Sequence, residues 1–164
     1  MKRLSGARRA PASWLRRLRG VGVALVWSVV AVHAHAQATP EGLWRSIDDE
    51  TGKPRSLVRI TQVNGVYTGT LEKLLDPSTK PDALCDKCSD ERKDRPLLGM
   101  VIIRGVAQSE GDKSRWDGGE ILDPNNGKTY KVRLTPKDGG KSLDVRGYFG
   151  APLLGRTQTW IRVE

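Results

Sequence analysis

The sequence predicts an all-β protein, an antiparallel up-and-down barrel of about eight strands preceded by a cleavable signal peptide. Its length of 164 residues corresponds to one ordinary domain, or to one small domain plus an appendage. Short runs rich in Val, Ile, Thr and Tyr are separated by Gly and Pro, and no stretch shows a sustained helical period. Closure removes the edges that so many consecutive hairpins would otherwise expose, so a barrel is favoured, with a two-sheet sandwich as the alternative.

The alternation of apolar and polar residues, together with the turn residues between runs, sets the order of the predicted strands. We predict strands at Leu43 to Ile47, Leu57 to Val63, Val66 to Leu71, Leu98 to Ala107, Trp116 to Leu122, Lys128 to Thr135, Ser142 to Phe149 and Arg156 to Val163.

The clearest hairpin has Asn64-Gly65 between two alternating runs. Asn-Gly is the strongest pattern for a two-residue hairpin loop because both loop positions need a positive φ. A two-residue loop also fixes the register, so that Val63 lies opposite Val66 and Val58 lies opposite Leu71. The predicted buried face consists of Val58, Ile60, Tyr67 and Leu71.

Residues 1–36 have the composition of a secretory signal peptide. Seven Lys and Arg residues precede the 12-residue apolar run 21–32, and residues 1–36 contain no acidic residue. That run is too short to cross a bilayer as a helix but suits the hydrophobic core of a signal peptide. Small residues at Ala34 and Ala36 predict cleavage between Ala36 and Gln37, with a second site after Ala38. A retained amphipathic anchor and a mitochondrial transit peptide are the alternatives.

Cleavage at this site changes the charge and the chemistry of the chain. The full sequence has a net charge of +9, whereas residues 37–164 carry 21 basic and 19 acidic residues, a net +2. So small a charge removes the main argument for a nucleic-acid partner. Both histidines, His33 and His35, lie in the leader, so the remaining chain has none for a Ser-His-Asp triad or an imidazole metal site. We expect a periplasmic or secreted bacterial protein with no stable membrane anchor after cleavage, no cofactor and no metal ion.

The connection from Asp76 to Leu98 is the longest in the predicted barrel and contains Cys85 and Cys88. A connection of this length in a small domain is usually a lid, a binding loop or a mobile segment. In an oxidising compartment the cysteine pair predicts a structural disulfide, with redox exchange, free thiols and metal binding as alternatives. The mixed charges from Asp86 to Arg95 predict a solvated loop.

Gly42-Leu43-Trp44 resembles the signature of lipocalins, in which a Trp closes the floor of the barrel and an Arg from the last strand covers its indole. Arg162 and Arg156 are the two candidates for that arginine, through a cation–π contact. An ordinary buried Trp is the alternative reading of this short motif.

Several further stretches resemble a family of small secreted bacterial proteins, the domain-of-unknown-function family 2147. They are Arg95 to Gly99, Trp116 to Tyr130, Arg146 to Gly150 and Leu153 to Trp160, together with Gly42 to Trp44 and the cysteine pair. The most specific are Gly118 to Tyr130 and Gly155 to Trp160. The resemblance implies a signal peptide, a periplasmic or secreted location and a lipocalin-like barrel, and it implies no particular reaction or ligand.

These observations predict a non-enzymatic protein that binds a small ligand, amphipathic or anionic, inside the barrel. Alternation places Arg156, Gln158, Trp160 and Arg162 on one face of the last strand, and an inward orientation of that face would favour a polar or anionic group on the ligand. The candidate ligand-binding residues are Trp44, Tyr67, Tyr130, Arg156, Gln158, Trp160 and Arg162.

Two other functions remain open from the sequence. The first is a structural or interaction protein of the cell envelope, with a filled barrel and no ligand. The second is an enzyme that uses carboxylates as acid and base, for which two of them would have to converge in a pocket. The carboxylates available for that role are Asp48, Asp49, Asp117, Glu120 and Asp123.

Overall fold

The computed structural model describes residues 38–164, so the predicted signal peptide and its cleavage site between Ala36 and Gln37 lie outside the described residues. Each strand pairs antiparallel with the next, and the last pairs with the first, which closes the barrel and confirms the predicted fold class. The strands are β1 (Gly42–Ile47), β2 (Pro54–Val63), β3 (Val66–Leu74), β4 (Val101–Gln108), β5 (Trp116–Asp123), β6 (Lys128–Lys137), β7 (Ser142–Tyr148) and β8 (Arg156–Arg162).

Several strand boundaries differ from the prediction by one to three residues, and two of these differences have a clear local reason. Strand β4 begins at Val101 rather than Leu98, because the Met100 amide donates to the Leu97 carbonyl at 3.1 Å in a turn with Gly99 at φ 82°. Strand β7 ends at Tyr148, and Phe149 belongs to the following connection, which contains a short 3₁₀ turn over Pro152–Leu154. In both places turn residues interrupt an apolar run that looks continuous in the sequence.

The predicted β2–β3 hairpin is confirmed in its turn, register and buried face. Asn64 and Gly65 have φ values of 51° and 82°, as a two-residue loop of this kind requires. Val63 lies opposite Val66, and Val58 lies opposite Leu71. All four side chains of the predicted apolar face are buried, namely Val58, Ile60, Tyr67 and Leu71.

The up-and-down topology gathers the connections at the two ends of the barrel. Segments 48–53, 75–100, 124–127 and 149–155 lie at one end, which we call the mouth. Segments 64–65, 109–115 and 138–141 lie at the other end, which we call the closed end, together with residues 38–41, which lead into β1.

Trp44 and Arg162 close the barrel at the closed end. Trp44 is fully buried, and its Nε1 donates to the Pro40 carbonyl at 2.7 Å. The guanidinium carbon of Arg162 lies 4.1 Å from the centre of the Trp44 ring. Arg162 also donates hydrogen bonds to four backbone carbonyls, those of Thr39, Glu41, Gly140 and Glu164. One side chain therefore ties the incoming chain, β1 and the β6–β7 connection together.

Gly42 leaves the room that this arrangement needs. A Cβ atom at this position would lie 2.3 Å from a guanidinium nitrogen of Arg162, and the backbone φ of 138° is one that other residues rarely adopt. The glycine of the Gly42-Leu43-Trp44 motif is thus explained by the arginine that covers the tryptophan.

Above Trp44, the closed half of the interior is filled with side chains. Tyr67 and Trp116 meet edge to face, with ring centroids 6.1 Å apart. Other residues that are almost completely buried are Val58, Ile60, Ile103, Val106, Val132, Leu134 and Leu143. Within residues 38–164, no helix combines the length and the apolar character needed to cross a bilayer.

Candidate ligand-binding cavity

A cavity of about 490 Å³ opens at the mouth, above the filled half of the barrel. This volume lies within the range of about 300–1,000 Å³ that is usual for small-molecule sites. Polar side chains from the mouth connections surround its outer part. Apolar and aromatic side chains form much of its inner wall, and they include Leu71, Ile102, Ile121, Leu122, Val145 and Trp160.

One column of cavity residues comes from the inner face of β8. Arg156, Gln158 and Trp160 lie opposite Gly147, Val145 and Leu143 of β7, and all three line the cavity. Because opposed residues share a face of the sheet, and Leu143 is fully buried, this face of β8 points into the barrel. This face of β8 therefore has the inward orientation that the sequence analysis considered.

Hydrogen bonds connect this column from the interior to the mouth. Trp160 Nε1 donates to Gln158 Oε1 at 3.2 Å, and Gln158 Nε2 donates to Asp49 Oδ1 at 3.3 Å. The Arg156 guanidinium holds the same Asp49 carboxylate and, by donating to it, lowers the pKa of Asp49. The amide of Gln158 is thereby held in one orientation, with its carbonyl oxygen toward Trp160.

The seven candidate ligand-binding residues fall into two groups. Tyr130, Arg156, Gln158 and Trp160 line the cavity, whereas Trp44, Tyr67 and Arg162 lie in the filled half and are not among its lining residues. At the mouth, Tyr130 contacts Phe149, with ring centroids 4.5 Å apart. Two aromatic rings therefore stand beside the opening.

Carboxylates outnumber guanidinium groups around the cavity. The charged lining residues are Asp48, Glu50, Asp76, Asp123, Arg55 and Arg156. The Thr51 amide and hydroxyl donate to Asp48, and Arg55 is paired with it at 2.8 Å; these contacts lower the pKa of Asp48. Donation from Ser78 lowers the pKa of Asp76. Both groups are thus ionised at neutral pH, and the rim has an excess of negative charge.

The five carboxylates that could supply an acid and a base do not all lie at the cavity. Asp48 and Asp123 line the cavity, with Asp49 bound to Arg156 beside it, whereas Asp117 and Glu120 are not lining residues. Asp117 instead pairs with Arg133 at 3.6 Å. Asp123 accepts hydrogen bonds from the amide and side chain of Asn125, so it holds the β5–β6 turn.

Two cavity residues that the sequence analysis missed are Ser46 and Ser56. They lie opposite each other on β1 and β2, are about 6% and 7% exposed, and both line the cavity. Their hydroxyl oxygens are 2.7 Å apart, and the Ser56 amide donates to Ser46 Oγ at 3.1 Å. Alternation from Trp44 places Ser46 on the inner face of β1, so the pattern was present in the sequence, but Ser56 lies outside the predicted strand.

The long connection at the mouth is folded onto the barrel. Cys85 and Cys88 are joined by a disulfide, and both are buried in the core cluster. Lys87 Nζ donates to the Asn125 carbonyl at 2.9 Å. A Cβ atom on Gly127 would lie 1.8 Å from the Lys87 carbonyl oxygen, so this close approach requires glycine. The connection forms part of the cavity wall through Asp76, Thr79 and Leu97.

The interpretation of Asp86 to Arg95 as a solvated run is wrong at Arg92. Arg92 is only about 4% exposed, forms an ion pair with Asp90 and donates to Thr129 Oγ1 at 3.1 Å. Its guanidinium lowers the pKa of Asp90 to about 2. The reason for the difference is nonlocal, because the partners of Arg92 on β4 and β6 are brought to it only by the fold of the connection.

No group of three or more His, Cys, Asp or Glu side chains suited to holding a metal ion occurs in the part of the chain that the structure describes.

The closed eight-stranded barrel, with Trp44 and Arg162 at one end and a cavity at the other, defines a lipocalin-like protein. Residues 42–162 match the family described as an uncharacterized protein conserved in bacteria (DUF2147), and the chain belongs to that family. This match confirms the family that the sequence motifs resemble.

The chain is also similar to a solved structure, protein HP1028 from the human pathogen Helicobacter pylori, which is described as belonging to the lipocalin family. The two share 22% sequence identity with a TM-score of 0.65, over 77% of this chain and 84% of that one. At this identity the likeness shows a common fold. No curated protein matches this sequence.

Proposed function

We propose that this protein takes up a small amphipathic ligand through the mouth of its barrel. The observation that carries the proposal is the cavity of about 490 Å³, which has an apolar inner wall and a polar rim. Burial of apolar surface supplies the affinity in such sites, while a few polar groups orient the ligand. The apolar part of the ligand then lies against Ile121, Val145 and Trp160, with a polar group near the rim.

The charges at the rim favour a neutral or cationic polar group over an anionic one. The face of β8 that carries Arg156 and Arg162 was the reason for expecting an anion. Arg156, however, is paired with Asp49 and lies 3.2 Å from Glu50, and Arg162 does not line the cavity. Arg55 is likewise paired with Asp48. An anionic group would have to displace one of these carboxylates and would also meet the remaining negative charge of the rim.

The proposed location is the bacterial periplasm or the outside of the cell. The leader over residues 1–36 supports export. The disulfide between Cys85 and Cys88 supports an oxidising compartment, in which such bonds persist.

We also propose that the protein is not an enzyme. A general acid at neutral pH needs a raised pKa, whereas the pKa values of Asp48, Asp49 and Asp76 are lowered by their hydrogen bonds. These carboxylates are held by turns and ion pairs, which is the arrangement expected of structural groups.

An interaction role in the cell envelope is the second candidate function. It is favoured by the exposed apolar side chains of the 149–155 connection, where Phe149, Leu153 and Leu154 are 56%, 88% and 80% exposed. Exposed apolar residues grouped on one connection are a common feature of protein contact sites. A co-purifying protein, lost on changing Leu153 and Leu154 to Ser, would favour this role.

Native mass spectrometry tests the ligand proposal most simply. Protein exported and purified from its own host should carry a bound small molecule, which organic extraction releases and identifies. If no molecule is retained, and none is taken up from a panel of lipids and polar metabolites, the proposal is wrong.

A further inference from the structure

The two buried serines at the inner end of the cavity have more hydrogen-bonding capacity than their surroundings use. A hydroxyl group can donate one hydrogen bond and accept two. Ser46 Oγ bonds the Ser56 amide, carbonyl and hydroxyl, whereas Ser56 Oγ has only the bond to Ser46. Two of the three bonding positions of Ser56 Oγ are therefore free, on a residue that lines the cavity.

The position of the pair makes this free capacity relevant to a ligand. Ser46 follows Trp44 on the inner face of β1, and Ser56 precedes Val58 on that of β2, so the pair lies directly above the fully buried side chains of the closed half. The two serines thus form the polar part of the cavity's inner end. A ligand group that bonds one of the free positions of Ser56 Oγ therefore adds a hydrogen bond in a place shielded from solvent.

We propose that Ser46 and Ser56 form a polar subsite that binds a hydroxyl or amide group on the buried end of the ligand. This inference rests on the proposed function. It narrows the ligand to molecules with hydrogen-bonding groups at both ends of an apolar body, in contrast to a simple single-chain lipid whose buried end is a methyl group. A neutral group is required, because neither serine offers a charge to balance an ion.

The alternative is a purely structural role for the pair. Its hydrogen bonds join β1 to β2 next to the irregularity in register between Ser46 and Ile47, and that contact alone would explain why two serines are buried there. A structural role affects stability equally whatever ligand is present, whereas a subsite distinguishes a ligand with a hydroxyl from one without.

The test compares two probes of similar size, 2-naphthol and 2-methylnaphthalene, which differ by a hydroxyl in place of a methyl group. Their affinities are measured by displacement of a fluorescent apolar dye, N-phenyl-1-naphthylamine, from the wild type and from Ser46→Ala, Ser56→Ala and the double variant. Ser142→Ala is the matched control, because Ser142 is also about 6% exposed but does not line the cavity.

We expect the affinity for 2-naphthol relative to 2-methylnaphthalene to fall by about two- to tenfold in the Ser46 and Ser56 variants, as the loss of one net hydrogen bond predicts, and to stay unchanged in Ser142→Ala. The ratio is measured within each variant, so a change in stability alone does not produce this result. If both probes bind and the ratio is the same in all proteins, the subsite is disproved and the cavity proposal stands. If the wild type binds neither probe nor the dye, the cavity proposal fails as well.

Discussion

Arg162 and Trp44 lie opposite each other where β8 meets β1, with the guanidinium carbon 4.1 Å from the centre of the indole ring. The contact closes one end of the barrel and leaves the other end for the cavity. Arg156, the second arginine that the sequence offered for this role, is six residues away along β8 and belongs to the mouth. The end of β8 at Arg162 therefore closes the barrel, and the end at Arg156 lines the cavity.

We predict that Arg162→Met lowers the free energy of unfolding by about 2–4 kcal/mol. The change removes the cation–π contact and leaves the carbonyls of Thr39 and Glu41 without their charged donor. Urea denaturation measures the effect. Arg156→Met is the control: its side chain is 55% exposed, and loss of an exposed ion pair should cost about 1 kcal/mol or less. Equal effects of the two changes would contradict the role given to Arg162.

We predict that replacing both cysteines with Ala lowers the free energy of unfolding by about 2–3 kcal/mol. Cys85 and Cys88 are three positions apart, and closing so small a ring constrains the unfolded chain by about 2 kcal/mol. Loss of two buried sulfur atoms adds to this cost. Denaturation of the two proteins measures the difference.

The burial of both sulfur atoms also makes a kinetic prediction. In the folded protein, reduction by dithiothreitol should be slow and should accelerate with mild denaturant, because the reductant reaches the disulfide only after the connection opens. Mass spectrometry after thiol labelling follows the reaction. Rapid reduction without denaturant would show that the connection is not held as described.

Asp90 predicts a loss of stability in acid. Its pKa is about 2 in the folded protein against an ordinary value of 3.8, because Arg92 donates to the carboxylate. The folded state thus keeps the negative charge where the unfolded chain takes up a proton. The stabilisation is complete above about pH 4 and disappears as the pH falls through about 2.

The matching measurement compares the wild type with Asp90→Asn. The wild type should be more stable by a constant margin between about pH 5 and pH 7, and the margin should shrink between about pH 4 and pH 2. Urea midpoints at each pH give the margin. A margin independent of pH would contradict the assigned ion pair between Asp90 and Arg92.

The features predicted most accurately from the sequence are those that depend on residues close together in the chain. Alternation and the Asn64-Gly65 turn determine the register of the β2–β3 hairpin from the turn to Val58 and Leu71, because a two-residue loop leaves one register. Alternation likewise placed Gln158 and Trp160 on the same face of β8. The motif ending in Trp44 indicated an arginine partner, and the geometry of the last strand selects Arg162 over Arg156.

The features that were missed depend on contacts between distant segments. Arg92 looked like one charge among many, since its partners Thr129 and Val101 reach it only when the long connection folds over β4 and β6. Ser56 was outside the predicted strand because Pro54 and Arg55 obscured its start, so its pairing with Ser46 was not visible.

Dye binding by a pair of tryptophan variants tests the central claim most directly. Ile121 lines the cavity and reaches toward Gly147 inside the barrel, whereas Ile161 is 43% exposed on β8. Ile121→Trp fills the cavity, and Ile161→Trp makes the same change outside it. Val145→Phe serves as a second filling variant, and thermal unfolding confirms that each protein is folded.

The quantity measured is the dissociation constant of N-phenyl-1-naphthylamine for protein stripped of any retained ligand. We predict that Ile121→Trp and Val145→Phe weaken binding by about tenfold or more and that Ile161→Trp binds like the wild type. Equal binding by all four proteins would contradict the claim that the ligand enters the barrel.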